Sequence, residues 1–173
     1  MRRLTLVAAA ALGLSLLPRP VLAGPLLEAS VGMGAQQDPS TFQRTQTSLM
    51  LAPGWEFAGI LKLELGFGAN LADTASSRFE LELRPMLVVS PPLFPLYLRG
   101  IAVVQNLVNG PTTAGYGGAL GLSFGLFGAG FFVEAGPLAR TVSVTVISTS
   151  SLPTRQDELR WGLEGRAGAY YTF

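Results

Sequence analysis

Read in steps of two, the segment LLEASVGMGAQ puts Leu27, Ala29, Val31 and Met33 on one side. Glu28, Ser30, Gly32 and Gly34 fall on the other. Successive side chains of an extended chain point to opposite sides, so this alternation predicts a strand with two unlike faces over about 26–36. The pattern recurs at PGWEFAGILKLELGFGA (53–69), where Trp55, Phe57, Leu61, Leu63, Leu65 and Phe67 oppose Glu56, Lys62 and Glu64. At 78–89, Phe79, Leu81, Leu83, Leu87 and Val89 oppose Arg78, Glu80, Glu82 and Arg84. Pro85 lies on the apolar side there and removes one ladder donor. At 95–105, Leu96, Leu98, Ala102 and Val104 oppose Tyr97, Arg99, Ile101 and Gln105; at 114–124, Tyr116, Leu120, Leu122 and Phe124 oppose Gly117, Ala119, Gly121 and Ser123.

Between these runs, QQDPSTFQRTQTS reads as the longest loop, and NLADTASS, SPPLFP and NLVNGPTTAG read as turns. After Phe124 the apolar residues move to odd positions (Phe127, Phe131, Val133, Ala135), which predicts a tight hairpin near 125–126. They return to even positions at Val142, Val144 and Val146, which predicts another turn around AGPLAR. The ending ELRWGLEGRAGAYYTF supplies the last strand, from about 158. The count is eight strands; a continuous strand over 127–148 would leave seven. No helix of ordinary length is predicted after the first residues.

Those first residues are of another kind. MRRLTLVAAAALGLSLLPRPVLA has a basic start, an apolar run from Leu4 to Leu17, two prolines and a small residue at Ala23. This predicts a secretory signal peptide over 1–23, with the run too short for a spanning helix. Residues 24–173 would then form one domain, with nine basic and eleven acidic side chains. Such a balance offers nucleic acid no basic surface. There is no cysteine, which excludes disulfides, thiol nucleophiles and thiolate metal sites. There is no histidine either, which removes the commonest general base and metal ligand and the usual hydrolytic triads.

Alternation with export fits a soluble barrel with an apolar core, or a membrane barrel with lipid outside and polar groups inside. Three features favour lipid. The charged residues all keep off the apolar parity, as expected where a charge at mid-depth costs about 2–4 kcal/mol. Trp55, Phe67, Phe79, Tyr116, Phe124, Trp161 and Tyr171 sit at strand ends on the apolar face, like interface girdles. Taken as one strand, Trp55 to Phe67 spans about 40 Å, or about 30 Å when tilted, across a band about 25 Å tall. Lastly, the connections alternate. With both termini on the inner side, the 37–52 segment and the turns near 90, 125 and 150 would face outward. Closure is obligatory in lipid, and even strand numbers are the rule in single-chain bacterial barrels, which favours eight.

The inward parity then collects Glu28, Glu56, Glu64, Glu80, Glu82, Glu134 and Glu164 against Lys62, Arg78, Arg84, Arg99, Arg160 and Arg166. An eight-stranded barrel has room only for side chains, and buried charges must pair. The expectation is a polar network filling the lumen, with small residues (Ser30, Gly32, Gly34, Gly117, Ala119, Gly121) making room for long ones. Glu80 and Glu82 have the spacing of an acid–base pair, about 6.5–7 Å along a strand, but the flanking arginines read as their partners. No catalytic set, cofactor loop or metal site is predicted.

In size and layout the sequence resembles the small bacterial outer-membrane β-barrels of the OmpX/OmpA-transmembrane type. The resemblance covers 24–173 and rests on layout, with one more specific feature at the end. In such barrels a terminal aromatic with alternating apolar residues before it is the signal read by the barrel-insertion machinery. Phe173, Tyr171, Ala169, Ala167 and Leu163 match that arrangement, with alanines weaker than the usual bulky residues. The resemblance implies an all-β, closed, antiparallel up-and-down barrel in the outer membrane of a Gram-negative bacterium, a monomer with lipids as its surroundings. Lipid A deacylases and palmitoyltransferases, also small barrels, use a histidine that this chain lacks. Three functions stay open: a structural or surface-interaction barrel, a narrow passive channel for ions or small solutes, and a soluble exported barrel binding an apolar ligand.

Overall fold

The computed structural model describes residues 23–38, 41–45, 47–70, 80–91, 94–108, 112–146 and 154–173. Residues 1–22, all but the last of the predicted signal peptide 1–23, lie outside the described residues, as do Arg78 and Phe79. Nine antiparallel strands follow one another: β1 (Gly24–Asp38), β2 (Thr41–Arg44), β3 (Ser48–Phe57), β4 (Leu61–Asn70), β5 (Leu81–Val89), β6 (Leu96–Gln105), β7 (Thr113–Leu126), β8 (Ala129–Val146) and β9 (Thr154–Thr172). β2 and β3 are two lengths of one stave, since both pair with β1. Gly32 faces Ser48 while Ala35 faces Arg44, so the second stave carries one extra residue, a bulge between Arg44 and Ser48. Pairing of β1 with β9 closes the sheet into an eight-stranded barrel.

The register fixes the tilt. Starting at Thr172 and stepping across paired residues, the path runs Leu26, Gly54, Glu64, Met86, Ile101, Gly117, Leu138 and back to β9 at Gly162. It returns ten residues from its start. Ten residues at about 3.3 Å against eight strand spacings of about 4.8 Å give a tilt of about 40°, inside the usual range for barrels.

Besides Pro25 at the start of β1, three prolines lie in strand interiors, and each has one ladder interrupted beside it while the other continues. Pairing of β3 with β4 skips the position of Pro53, that of β5 with β6 skips Pro85, and that of β7 with β8 skips Pro137. On their other sides Leu27, Leu65 and Leu163 stay in register. The missing N–H thus costs one ladder locally, as expected for Pro85.

The segment 53–69 is two strands, not one. Ala58 and Gly59 take left-handed φ of 53° and 67°, and Ile60 N–H donates to Phe57 O at 3.1 Å. Three residues separate the paired Phe57 and Leu61, and an odd loop leaves the apolar parity unchanged, so the alternation runs straight through the turn. The chain also makes one strand of what reads as a sixth and a seventh. β8 keeps one register with β9 from Ala129↔Tyr171 to Val146↔Thr154. There is therefore no turn at AGPLAR. β7 starts only at Thr113, so beyond Arg140 the outer ends of β8 and β9 run on as a two-stranded ribbon. The two differences cancel in the count.

The tight hairpin falls at Phe127–Gly128, two residues later than the parity change indicates, with φ of 54° and 85°. These left-handed angles match the twist of a two-residue hairpin. The turns near 60, 90 and 127 lie at the end that holds the termini. β1, β4, β6 and β8 finish at the opposite end, the outer one when the termini face inward. The turns near 90 and 125 are therefore not outward; β1 and β8 run to the outer end, and the 150 region lies outside the described residues. The first loop is also shorter than 37–52, because β3 begins at Ser48.

The polarity is inverted relative to a water-soluble barrel. Leu63, Leu98, Leu120, Phe131 and Leu163 are 48–72 % exposed on the outside. Glu28, Glu82, Arg84 and Arg99 are 1–4 % exposed inside. A soluble barrel with an apolar core needs the opposite, so that reading fails.

Candidate functional site

The lumen is filled in layers. At the base, Thr172 Oγ1 donates to Glu56 Oε2 at 3.0 Å, and Lys62 Nζ stands 3.8 Å from the same carboxylate and 4.2 Å from the Tyr170 ring centre. Above them Val88, Tyr97 and Phe132 pack together, with Tyr170 against them.

The next layer turns on one guanidinium. Arg99 meets Glu28 at 2.7 Å, Glu134 at 3.0 Å and Glu64 at 3.2 Å. Tyr97 Oη donates to Glu134 Oε2 at 2.6 Å. The Arg99 plane also sits over the Phe132 and Tyr97 rings, at 5.3 and 5.7 Å. These groups come from β1, β4, β6 and β8, so the layer ties together both sides of the barrel. A thin apolar layer of Met50, Ala52 and Met86, with Ile101, lies next.

Toward the outer end the charge balance reverses. Glu164 accepts from Arg166 Nε at 2.7 Å, from Arg140 Nη2 at 2.8 Å and from Arg84 Nη2 at 3.0 Å. Glu82 meets Arg84 Nε at 2.8 Å and accepts from Gln105 at 3.2 Å. Arg166 also donates to Ser48 at 2.7 Å and Ser30 at 3.3 Å. The inner layer thus has one cation among three carboxylates, and the outer one three cations among two. Small residues make the space: a Cβ on Gly32 would stand 2.8 Å from Cγ of Arg166.

Of the residues singled out from sequence, Glu56, Lys62, Glu64, Glu82, Arg84, Arg99, Glu134, Glu164 and Arg166 meet in these layers. Glu80 is parted from Glu82. It lies at the outer mouth and accepts from Asn70 Nδ2 at 3.2 Å, so the two form no acid–base pair. Arg140 was missed because AGPLAR reads as a turn, and Tyr170 because its neighbours are small. With β8 as one strand, Arg140 falls on the inward parity.

At the outer mouth the packing opens into a cavity of about 260 Å³, whose lining includes Gln36, Arg44, Asn70, Arg140, Arg160 and Glu164. Deeper in the lumen, a space beside Arg99 measures about 10 Å³.

On the wall, Trp161 packs edge-on to Tyr116 with ring centres 6.1 Å apart, and Tyr171 packs edge-on to Phe173 at 4.9 Å. Ten residues at a 40° tilt separate Trp161 from Tyr171 by about 25 Å along the axis, the height of an apolar band. Trp55 and Phe124 join Tyr171 near the termini end. Phe67 differs. It sits on β4 while Trp55 sits on β3 opposite Leu63, so it stands only about 13 Å above Trp55. It lies within the band rather than at the far interface.

The chain matches no sequence-family profile and no curated protein. Among solved structures, it is similar to Neisserial surface protein A (NspA), with 15% identity and a TM-score of 0.59, over 87% of this chain and 97% of that one. A second similarity is to the N-terminal β-barrel domain of Pseudomonas aeruginosa OprF, with 14% identity and a TM-score of 0.48, over 87% and 100% of the two chains. The first match shows the fold alone: an all-β, closed antiparallel barrel.

Proposed function

We propose that this chain is a non-enzymatic outer-membrane protein of a Gram-negative bacterium, a closed barrel that serves as scaffold for its outer mouth and loops. One observation carries this reading: the wall is apolar outside while the interior is crossed by interlocking ion pairs, with a space of only about 10 Å³ beside Arg99. Burying so many charges is stable only because each has partners, and the partners come from opposite sides of the barrel. A polar interior of this kind makes a rigid peg through the bilayer.

A narrow passive channel is the competing reading. Conduction through this lumen would require Arg99 and Arg84 to leave carboxylates they hold at 2.7–3.2 Å. The lipid surroundings and the role of Phe173 as an assembly signal belong to the same proposal.

The test has two parts. Cell fractionation with heat-modifiable migration should place a folded barrel in the outer membrane. The purified barrel in a planar bilayer should stay silent. Recovery from the soluble periplasm would overturn the localisation, and steady single-channel steps would replace the scaffold by the channel.

A further inference from the structure

The outer mouth gathers three guanidinium groups, and two of them keep donors that no described residue takes up. Arg44, Arg140 and Arg160 line the cavity of about 260 Å³ there, beside the amides of Gln36 and Asn70, with Arg160 already 3.6 Å from Glu158. Its carboxylates are already engaged: Glu164 receives three guanidinium groups and Glu80 receives Asn70. Arg44 is exposed and makes no hydrogen bond or ion pair with any described residue. Arg140 spends one end on Glu164 at 2.8 Å, yet its buried Nε has no hydrogen-bond partner among the described residues. Four other buried side-chain atoms lack a well-angled hydrogen bond, Nε of Arg84 and Arg99 and one oxygen each of Glu64 and Glu82, but all four lie within ion-pair distance of an opposite charge. Arg140 Nε is the exception, and it belongs to a residue at the mouth.

We propose that this mouth is a binding site for a soluble anionic ligand, a small phosphorylated or carboxylated molecule of sugar size. The inference rests on the closed-barrel reading, which makes the mouth a dead-end cup rather than a pore entrance. Guanidinium groups fit the planar and tetrahedral oxygens of carboxylate and phosphate through paired N–H donors. The outer layer below already holds three cations to two carboxylates, so its field favours a negative group above it. Gln36 and Asn70 supply donors and acceptors for hydroxyl groups. Gln36, Asn70, Arg140, Arg160 and Glu164 share the lumen parity, which places the ligand inside the ring of strands, apart from the lipid headgroups around the wall; Arg44, paired with wall-side Ala35, lines the cavity from its rim.

The full refolded barrel in phosphate-free detergent buffer at low salt gives the test by titration calorimetry. Glucose 6-phosphate should bind saturably, and glucose should bind at least about tenfold more weakly. Arg44→Gln should weaken glucose 6-phosphate about tenfold or more while heat-modifiable migration stays unchanged, and Arg44→Lys should recover part of the loss. Phosphorylated lipid added to the micelles should not compete. Equal binding of glucose, no saturable binding by the folded barrel, or an Arg44→Gln variant that binds as well as the parent would each overturn the inference. Competition by the lipid would do so too, by moving the site to the outer wall. A barrel silent in bilayers that ignores anions would sink this inference and leave the scaffold standing.

Discussion

Arg99→Met removes the single cation from a layer that holds Glu28, Glu64 and Glu134 at 2.7–3.2 Å, with all four side chains at most 3 % exposed. At an effective dielectric of about 20, each charge pair near 4 Å is worth about 4 kcal/mol. Most of that gain is offset by desolvation and by repulsion among the three carboxylates, so the sum of the pairs is not the measured effect. The appropriate figure is the cost of leaving buried charge unpaired, about 3–5 kcal/mol for loss of one partner. Urea unfolding of the vesicle-folded barrel, followed through Trp55 and Trp161, gives that quantity by linear extrapolation. Adding Glu64→Gln and Glu134→Gln to Arg99→Met should recover part of the loss, because the amides carry no charge to strand. A single Arg99→Met variant within about 1 kcal/mol of the parent would refute the reasoning. It would mean that water reaches this layer and solvates the carboxylates.

Leu65, outward on β4 near mid-height, should tolerate Arg poorly, with a loss of about 2–4 kcal/mol in the same unfolding experiment; a neutral Leu65→Arg would place this face in water. Phe127 is 87 % exposed and holds a left-handed φ of 54° beside Gly128. Phe127→Asn should therefore stabilise the refolded barrel in micelles by about 1 kcal/mol, and a loss of stability there would show that the ring makes a contact the turn needs. Phe173→Ala should lower the amount of heat-modifiable barrel in the outer membrane of cells, while the stability of barrel refolded from urea moves by less than about 1 kcal/mol. Unchanged assembly in cells would remove Phe173 as a signal.

The faces of the sheet were legible in the sequence because alternation is a property of each strand alone. Glu64, Arg84, Arg99 and Glu134 could be placed inside from parity without knowing their neighbours. Tight turns without a polar or proline-rich cluster were legible only where they changed parity. The two-residue loop Phe127–Gly128 did so; the three-residue loop 58–60 did not, and it hid the boundary between β3 and β4. Val142, Val144 and Val146 produced the reverse error. Their even positions read as a turn, whereas β8 keeps its register with β9 past the end of its pairing with β7. Arg140, and with it the mouth, was lost for the same reason. The local pair of Glu82 with Arg84 was readable from their spacing, but the distant pairs were not, because Arg99 and Glu28 are 71 positions apart and meet only through the closure and shear of the barrel.

The central claim is that the apolar face meets lipid while the charged face fills the interior. The absence of cysteine makes a direct measurement simple, since any introduced cysteine is the sole label site. Leu98→Cys and Ser123→Cys, each in the barrel folded in vesicles, can be exposed to a lipid-soluble thiol reagent. The account predicts reaction at position 98, which is 62 % exposed on the wall, and little at position 123, which is 7 % exposed in the lumen. Reaction at 123 with none at 98 would contradict it.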